Sequence, residues 1–219
     1  MRAAPHGYTA TRRAERRAAR LDPVDIVLVH PEIPHNTGCA ARLSAATGVR
    51  LHLVEPLGFS LDDRYLKRAG LDYWPMVDLV VHATWAQLAR DLERTSERPF
   101  AERLKLFTAR GGRSLFATAF APDDLLVFGS ESTGLPRELL LEHAARRVYI
   151  PIRSGIRSLN LANVVCLSVY TALVRAGVPL PENDGTYEAH PLSRADIRPV
   201  SRVSRAETAP LARVRRVDD

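Results

Sequence analysis

Three polar stretches interrupt the apolar pattern of this 219-residue chain and hold most of the residue types able to do chemistry. They are 31–38 (PEIPHNTG), 127–136 (VFGSESTGLP) and 150–164 (IPIRSGIRSLNLANV). Each follows the end of an apolar run that reads as a strand. Together they offer backbone donors and acceptors at Gly129, Gly134, Ile150 and Gly155, with few titratable side chains. Glu131 reads as the one clear acid of such a site, and Arg42 lies on the helix that follows Asn36. Backbone groups with little side-chain charge suit a zwitterionic cofactor better than hydrolysis by paired acids.

Several familiar chemistries are excluded. No GxGxxG follows the first strand, so an ordinary dinucleotide site is not indicated. The GSESTG run at 129–134 has P-loop glycine spacing, but Leu135 and Pro136 stand where a P-loop needs Lys and Ser or Thr. The seven histidines are scattered without zinc spacing, and no metal is predicted. A lone histidine such as His52 reads as a satisfied core or surface residue. Cys39 and Cys166 read as reduced, buried thiols.

The elements that must position these stretches follow from periodicity. Short apolar runs predict strands over 24–29, 51–54, 77–81, 104–108, 125–128 and 148–150. Helices are predicted after Asn36 (read as the cap) to Gly48, over 62–69, 85–92 and 136–143, and from Leu159 onward. The prolines exclude helix over 30–35, and the charged 93–102 segment reads as a surface loop. In the last helix, Leu161, Val164, Val165, Leu167, Ser168 and Leu173 define a wide apolar face, opened by Asn160 and Asn163. Strands alternating with helices predict a parallel α/β sheet covered on both faces, with loops gathered at the strands' C-terminal ends.

Charge is unevenly placed. Residues 1–20 hold six arginines against one acid, and 191–219 hold seven against four, whereas 21–190 carry a net charge of −2. Basic ends on a near-neutral domain fit either loose phosphate contacts with nucleic acid or solubilising tails. The sequence therefore divides into a basic extension (1–22), an α/β domain (23–178) and a Pro/Arg-rich, largely irregular tail (179–219). No apolar run reaches bilayer length and no signal-peptide core opens the chain, which predicts a cytoplasmic protein without membrane contact.

In this order, the three stretches resemble the signature motifs of the SPOUT class of RNA methyltransferases, and are most similar to its TrmL-type tRNA (cytidine/uridine-2′-O-)-methyltransferases. PEIPHNTGCAARLSAATG resembles the first motif, RLHLVEPLGFSLDDRYLKRAGLDYW its continuation, and LLVFGSESTGLP and YIPIRSGIRSLNLANVVCLSVYTAL the second and third. The similarity spans about 24–177. It implies a SPOUT fold with a C-terminal deep trefoil knot, a homodimer with active sites at the subunit interface, and S-adenosyl-L-methionine bound in a bent shape, leaving as S-adenosyl-L-homocysteine. The implied reaction is methylation of a tRNA ribose 2′-hydroxyl at the wobble cytidine or uridine. Another tRNA or rRNA site, or a non-catalytic RNA-binding protein, are the alternatives.

Carried over by motif position, Asn36, Arg42, Glu131 and Asn160 match residues linked to catalysis. Phe107, Thr108, Gly129, Ile150, Ser158, Leu159 and Asn163 match the cofactor site, mostly through backbone. The chain departs from the pattern at His35, where proline is common, at Thr133, where arginine is frequent, and in its two tails.

Overall fold

A computed structural model describes residues 23–61 and 76–182, together with the backbone of 215–217. Among these residues eight strands form one sheet: β1 (Asp25–Val29), β2 (Leu51–Val54), β3 (Leu79–His82), β4 (Leu104–Phe107), β5 (Arg113–Ser114), β6 (Leu125–Phe128), β7 (Arg147–Tyr149) and β8 (Arg215–Val217). Their order is β5-β7-β4-β6-β1-β2-β3-β8, and every pairing is parallel. The helices are α1 (Pro34–Thr47), α2 (Trp85–Glu93), α3 (Phe100–Arg103), α4 (Arg137–Glu142) and α5 (Leu161–Arg175).

Side chains alternate across the sheet, as the pleat requires. Ile26, Leu28, Leu51, Leu53, Leu79 and Val81 pack with Ala40 and Ala41 of α1 and with Val165, Val169, Ala172 and Leu173 of α5. Val27, Val29, Val54, Leu104, Leu106, Leu125 and Val127 pack on the other face with Leu88 and Leu92 of α2 and Leu139 of α4. Strands buried on both faces explain why the sequence shows continuous apolar runs rather than alternation.

The helix starts differ from expectation in an informative way. Asn36 does not cap α1: the helix begins at Pro34, with Ile33 as its N-cap. Proline fits the first helical position because its missing N–H has no intrahelical partner there. Asn36 is thereby placed inside the first turn, and its side chain is released for other contacts. Asn160 does cap α5, accepting from the N–H groups of Ala162 (2.9 Å) and Asn163 (3.4 Å). On α5 the buried face is Val165, Ser168, Val169, Ala172 and Leu173; Leu167, Tyr170 and Val174 are exposed.

Other expectations change more simply. The 93–102 segment ends in α3, whose Arg103 is buried and donates to Leu92 O (2.7 Å) and Asp123 O (2.9 Å). The C-terminal tail contributes β8, parallel to β3. Cys166 is exposed and Cys39 half-buried, so neither thiol is the fully buried core group expected. The helix predicted over 62–69 and the basic 1–20 segment lie outside the described residues.

One buried polar chain crosses the α2 face of the sheet. Asp25 Oδ2 lies 3.4 Å from His52 Nε2, His52 Nδ1 lies 3.0 Å from His82 Nε2, and His82 Nδ1 lies 3.3 Å from Asp91 Oδ2 on α2. The last pair makes no hydrogen bond. Burial, reinforced by the neighbouring His52 ring, outweighs the attraction of Asp91 and lowers the His82 pKa from 6.5 to about 4.

Candidate active site

The C-terminal ends of β4, β6 and β7 open into a cavity of about 540 Å³, within the range of cofactor sites. Phe107 and Phe128 stack with ring centroids 4.5 Å apart and lie along its lining, with Thr108, Gly129, Ile150, Ser158, Leu159 and Asn160. The apolar part of the wall comes from Phe107, Phe128, Leu135, Ile150 and Leu161.

Two loops shape the mouth. Residues 130–134 close on themselves, Ser130 N donating to Gly134 O (3.2 Å) and Gly134 N to Ser130 O (2.9 Å). A Cβ on Gly129 would lie 2.0 Å from Gly134 C, so only glycine allows this closure. The second loop follows β7. Arg157 Nη2 donates to Ser132 O (3.0 Å), and Arg110 Nη2 donates to Ile156 O (3.2 Å), tying it to the loops after β6 and β4.

A polar chain connects all three sequence stretches. The Asn160 carbonyl oxygen accepts from the start of α5, so its amide donates to Asn36 Oδ1 (3.1 Å). The Asn36 amide in turn donates to Glu131 Oε1 (2.9 Å). Glu131 also accepts from Ile33 N (3.3 Å) and, through Oε2, from Glu32 N (2.8 Å). Each link fixes the orientation of the next amide, since an Asn oxygen can only accept and its nitrogen only donate. Both Glu131 oxygens are engaged, so its geometry is that of an anchor for the start of α1 rather than of a free proton acceptor.

Of the proposed residues, the structure brings Asn36, Phe107, Thr108, Gly129, Glu131, Ile150, Ser158, Leu159 and Asn160 to one cavity. Arg42 and Asn163 do not line it. Asn163 points outward because it sits in the first turn of α5, where its N–H faces the Asn160 cap and its side chain faces solvent. Arg42 is exposed, six residues along α1 from Asn36 and hence on a different helix face. Sequence reasoning passed over Glu32, whose carboxylate accepts from Ser132 N (3.1 Å) and Ser132 Oγ (2.6 Å) across a separation of one hundred residues. No local pattern announces that contact. Phe128, read only as strand core, also lines the cavity.

Comparison with known proteins agrees with this architecture. The model of the SpoU rRNA Methylase family matches residues 23–170. A tRNA (cytidine(34)-2′-O)-methyltransferase of Polaromonas sp. is 48% identical over 68% of this chain and 88% of its own length. Its namesake from Burkholderia ambifaria is 47% identical over 70% and 96%. A solved structure described as giving structural insights into the 2-OH methylation of C/U34 on tRNA is 43% identical, covers 72% of this chain and 98% of its own, and superposes with a TM-score of 0.65.

Proposed function

The chain belongs to the SpoU rRNA Methylase family, and from that membership we propose that it methylates the ribose 2′-hydroxyl of the wobble nucleotide of tRNA, using S-adenosyl-L-methionine. The observation that carries the proposal is close sequence similarity, across the whole cavity-bearing domain, to relatives named for cytidine 34. The family description names rRNA, but the 47–48% identical relatives name tRNA, which favours the tRNA substrate. Cytidine or uridine is the expected base, since the similar solved structure concerns C/U34.

The cavity fits the cofactor. Phe107, Phe128 and Ile150 offer apolar surface, and Thr108, Gly129 and Leu159 line the same cavity beside the polar groups of Ser158 and Asn160. Bound there, S-adenosyl-L-methionine supplies an electrophilic methyl group on a sulfonium. The protein's task is then to align a weak nucleophile and accommodate loss of its proton.

The Asn160–Asn36–Glu131 chain holds the start of α1 against the cavity and so sets where α1 presents Arg42. An arginine is a poor base, because its guanidinium holds its proton throughout the working range of an enzyme. Arg42 instead holds an RNA phosphate and stabilises the developing alkoxide. Its position outside its own protomer's cavity lining supports a homodimer in which α1 of one subunit serves the neighbouring site. The exposed patch of Phe116, Leu167, Tyr170 and Val174 offers the apolar surface for that contact. Phe116 and α5 already meet, through the Arg175 guanidinium donating to Phe116 O (2.6 Å).

The same reading includes the deep trefoil knot. Its support is that residues 147–160 are bonded to both the β4 end and the loop after β6, through Thr108 N to Val148 O (2.9 Å) and the Arg110 and Arg157 bonds above. A tRNA substrate places the protein in the cytoplasm. No helix among the described residues is long and apolar enough to cross a membrane.

The test is direct. Calorimetry should show S-adenosyl-L-methionine binding, and tRNA from a deletion strain should lose methylation at nucleotide 34. An unchanged wobble nucleotide refutes the substrate assignment. Arg42→Ala should abolish methyl transfer while sparing cofactor binding; near-normal turnover in that variant removes Arg42 from the mechanism.

A further inference from the structure

We propose that Glu32 is a positioning residue for the cofactor site, acting through Ser132; this rests on the methyltransferase reading above. Two glutamates cross between the same two loops in opposite directions. Glu131, on the loop after β6, accepts from Glu32 N and Ile33 N on the loop after β1. Glu32, on the loop after β1, accepts from Ser132 N and Ser132 Oγ on the loop after β6. The result is a reciprocal clamp in which each loop supplies both a carboxylate and the backbone donors for the other. Charge-assisted bonds of this kind are the stronger class of hydrogen bond.

The Glu32 side of the clamp is held on a rigid base. His30 adopts φ 51°, a left-handed conformation uncommon outside glycine, and its N–H donates to Val54 O (3.0 Å). Gly58 N donates to Pro31 O (2.9 Å), and a Cβ there would lie 2.7 Å from Glu32 Cα. The backbone of the loop after β2 thus backs directly against that of Glu32, whose exposed side chain reaches Ser132.

The Ser132 side forms the wall of the cavity. Residues 129–134 all line it, and Ser132 O also receives the Arg157 guanidinium from the loop after β7. Ser132 is therefore the point where Glu32 and Arg157, from two different strand ends, grip one loop. Glu32 itself does not line the cavity, so its influence on bound cofactor passes through the loop. Without the carboxylate, the 130–134 loop samples arrangements that do not close the wall. If the closed form then occupies about a tenth of the population, apparent cofactor affinity falls about tenfold.

The experiment uses the full-length protein. S-adenosyl-L-methionine Kd is measured by calorimetry, and KM for cofactor and for tRNA by methyl transfer, in Glu32→Ala, Glu32→Gln, Glu32→Asp, Ser132→Ala and the Glu32→Ala/Ser132→Ala pair. Glu32→Ala should raise cofactor Kd and KM about tenfold, with tRNA KM and the thermal midpoint little changed. Glu32→Gln keeps the reach, accepting from Ser132 N and donating to Ser132 Oγ, and should recover most of the affinity. Glu32→Asp is a methylene too short and should not. The double variant should be no weaker than Glu32→Ala, because both changes break one interaction. Cofactor Kd within twofold of wild type in Glu32→Ala overturns the inference. So does a parallel fall in thermal midpoint that Glu32→Gln fails to rescue, which marks a merely structural residue. If the wild-type protein itself binds no S-adenosyl-L-methionine, the proposed function fails first, and the clamp inference falls with it.

Discussion

The Asp25–His52–His82–Asp91 chain makes acid stability a sensitive probe of the fold. His82 Nδ1 lies 3.3 Å from Asp91 Oδ2, and neither atom has a hydrogen-bond partner. Burial, reinforced by the neighbouring His52 ring, outweighs Asp91 and lowers the His82 pKa from 6.5 to about 4. Below pH 6.5 the unfolded chain therefore takes up a proton that the folded chain refuses. Stability is full above about pH 7, falls by up to about 1.4 kcal/mol per pH unit as pH drops through 6.5, and levels near 4. Between pH 7 and 5 this amounts to about 2 kcal/mol from His82 alone.

Urea denaturation at fixed protein concentration, from pH 7 to 5, should show that slope in the wild type. His82→Gln keeps an amide donor at the position of Nε2 and removes the titration. Its stability should be lower at pH 7 but about 2 kcal/mol less sensitive to acid over the same range. Carboxylates common to both proteins cancel in the difference. Nuclear magnetic resonance of labelled histidine should find the His82 ring neutral at pH 5.5 in the folded state. Parallel loss of stability in the two proteins, or a folded-state His82 titrating near 6.5, refutes the account.

Two substitutions test the cavity itself. Gly129→Ala places a methyl group 2.0 Å from Gly134 C; this overpacking should cost about 1–3 kcal/mol and abolish measurable cofactor binding, checked by denaturation and calorimetry. Asn160→Ala removes both the α5 cap and the bond to Asn36, and should cost about 1 kcal/mol together with most of the turnover. Asn160→Ser should restore the cap and the thermal midpoint without restoring activity, because serine does not reach Asn36; recovery of both would make the cap the whole role of Asn160.

Much of the fold is legible from short-range pattern alone. The runs that became β2 and β6 are bounded by the same residues in sequence and structure, because short runs buried on both faces, apolar throughout in β6 and broken only by His52 in β2, leave no competing period. The α1 start was misread because Asn36 is a good capping residue by type, whereas a proline two positions earlier already supplies a preorganised first turn. The two-residue β5, the one-turn α3 and the tail strand β8 are too short to carry a period, and they exist only where tertiary neighbours complete their hydrogen bonds or bury their side chains.

For the site, residue types and motif order determined which three loops belong together at one cavity. Tertiary structure decided what each side chain does there. Glu131 reads as an isolated acid in sequence, yet folding surrounds it with three donors nearly one hundred residues away, two on the loop after β1 and one in the first turn of α1, and makes it an anchor. Glu32 was invisible for the same reason, its partner Ser132 being brought near only when β1 and β6 pair. Arg42 and Asn163 share motifs with the cavity residues but lie on other helix faces. Local sequence sets the elements and their chemistry; the direction in which a carboxylate or guanidinium points depends on packing between segments that sequence spacing does not encode.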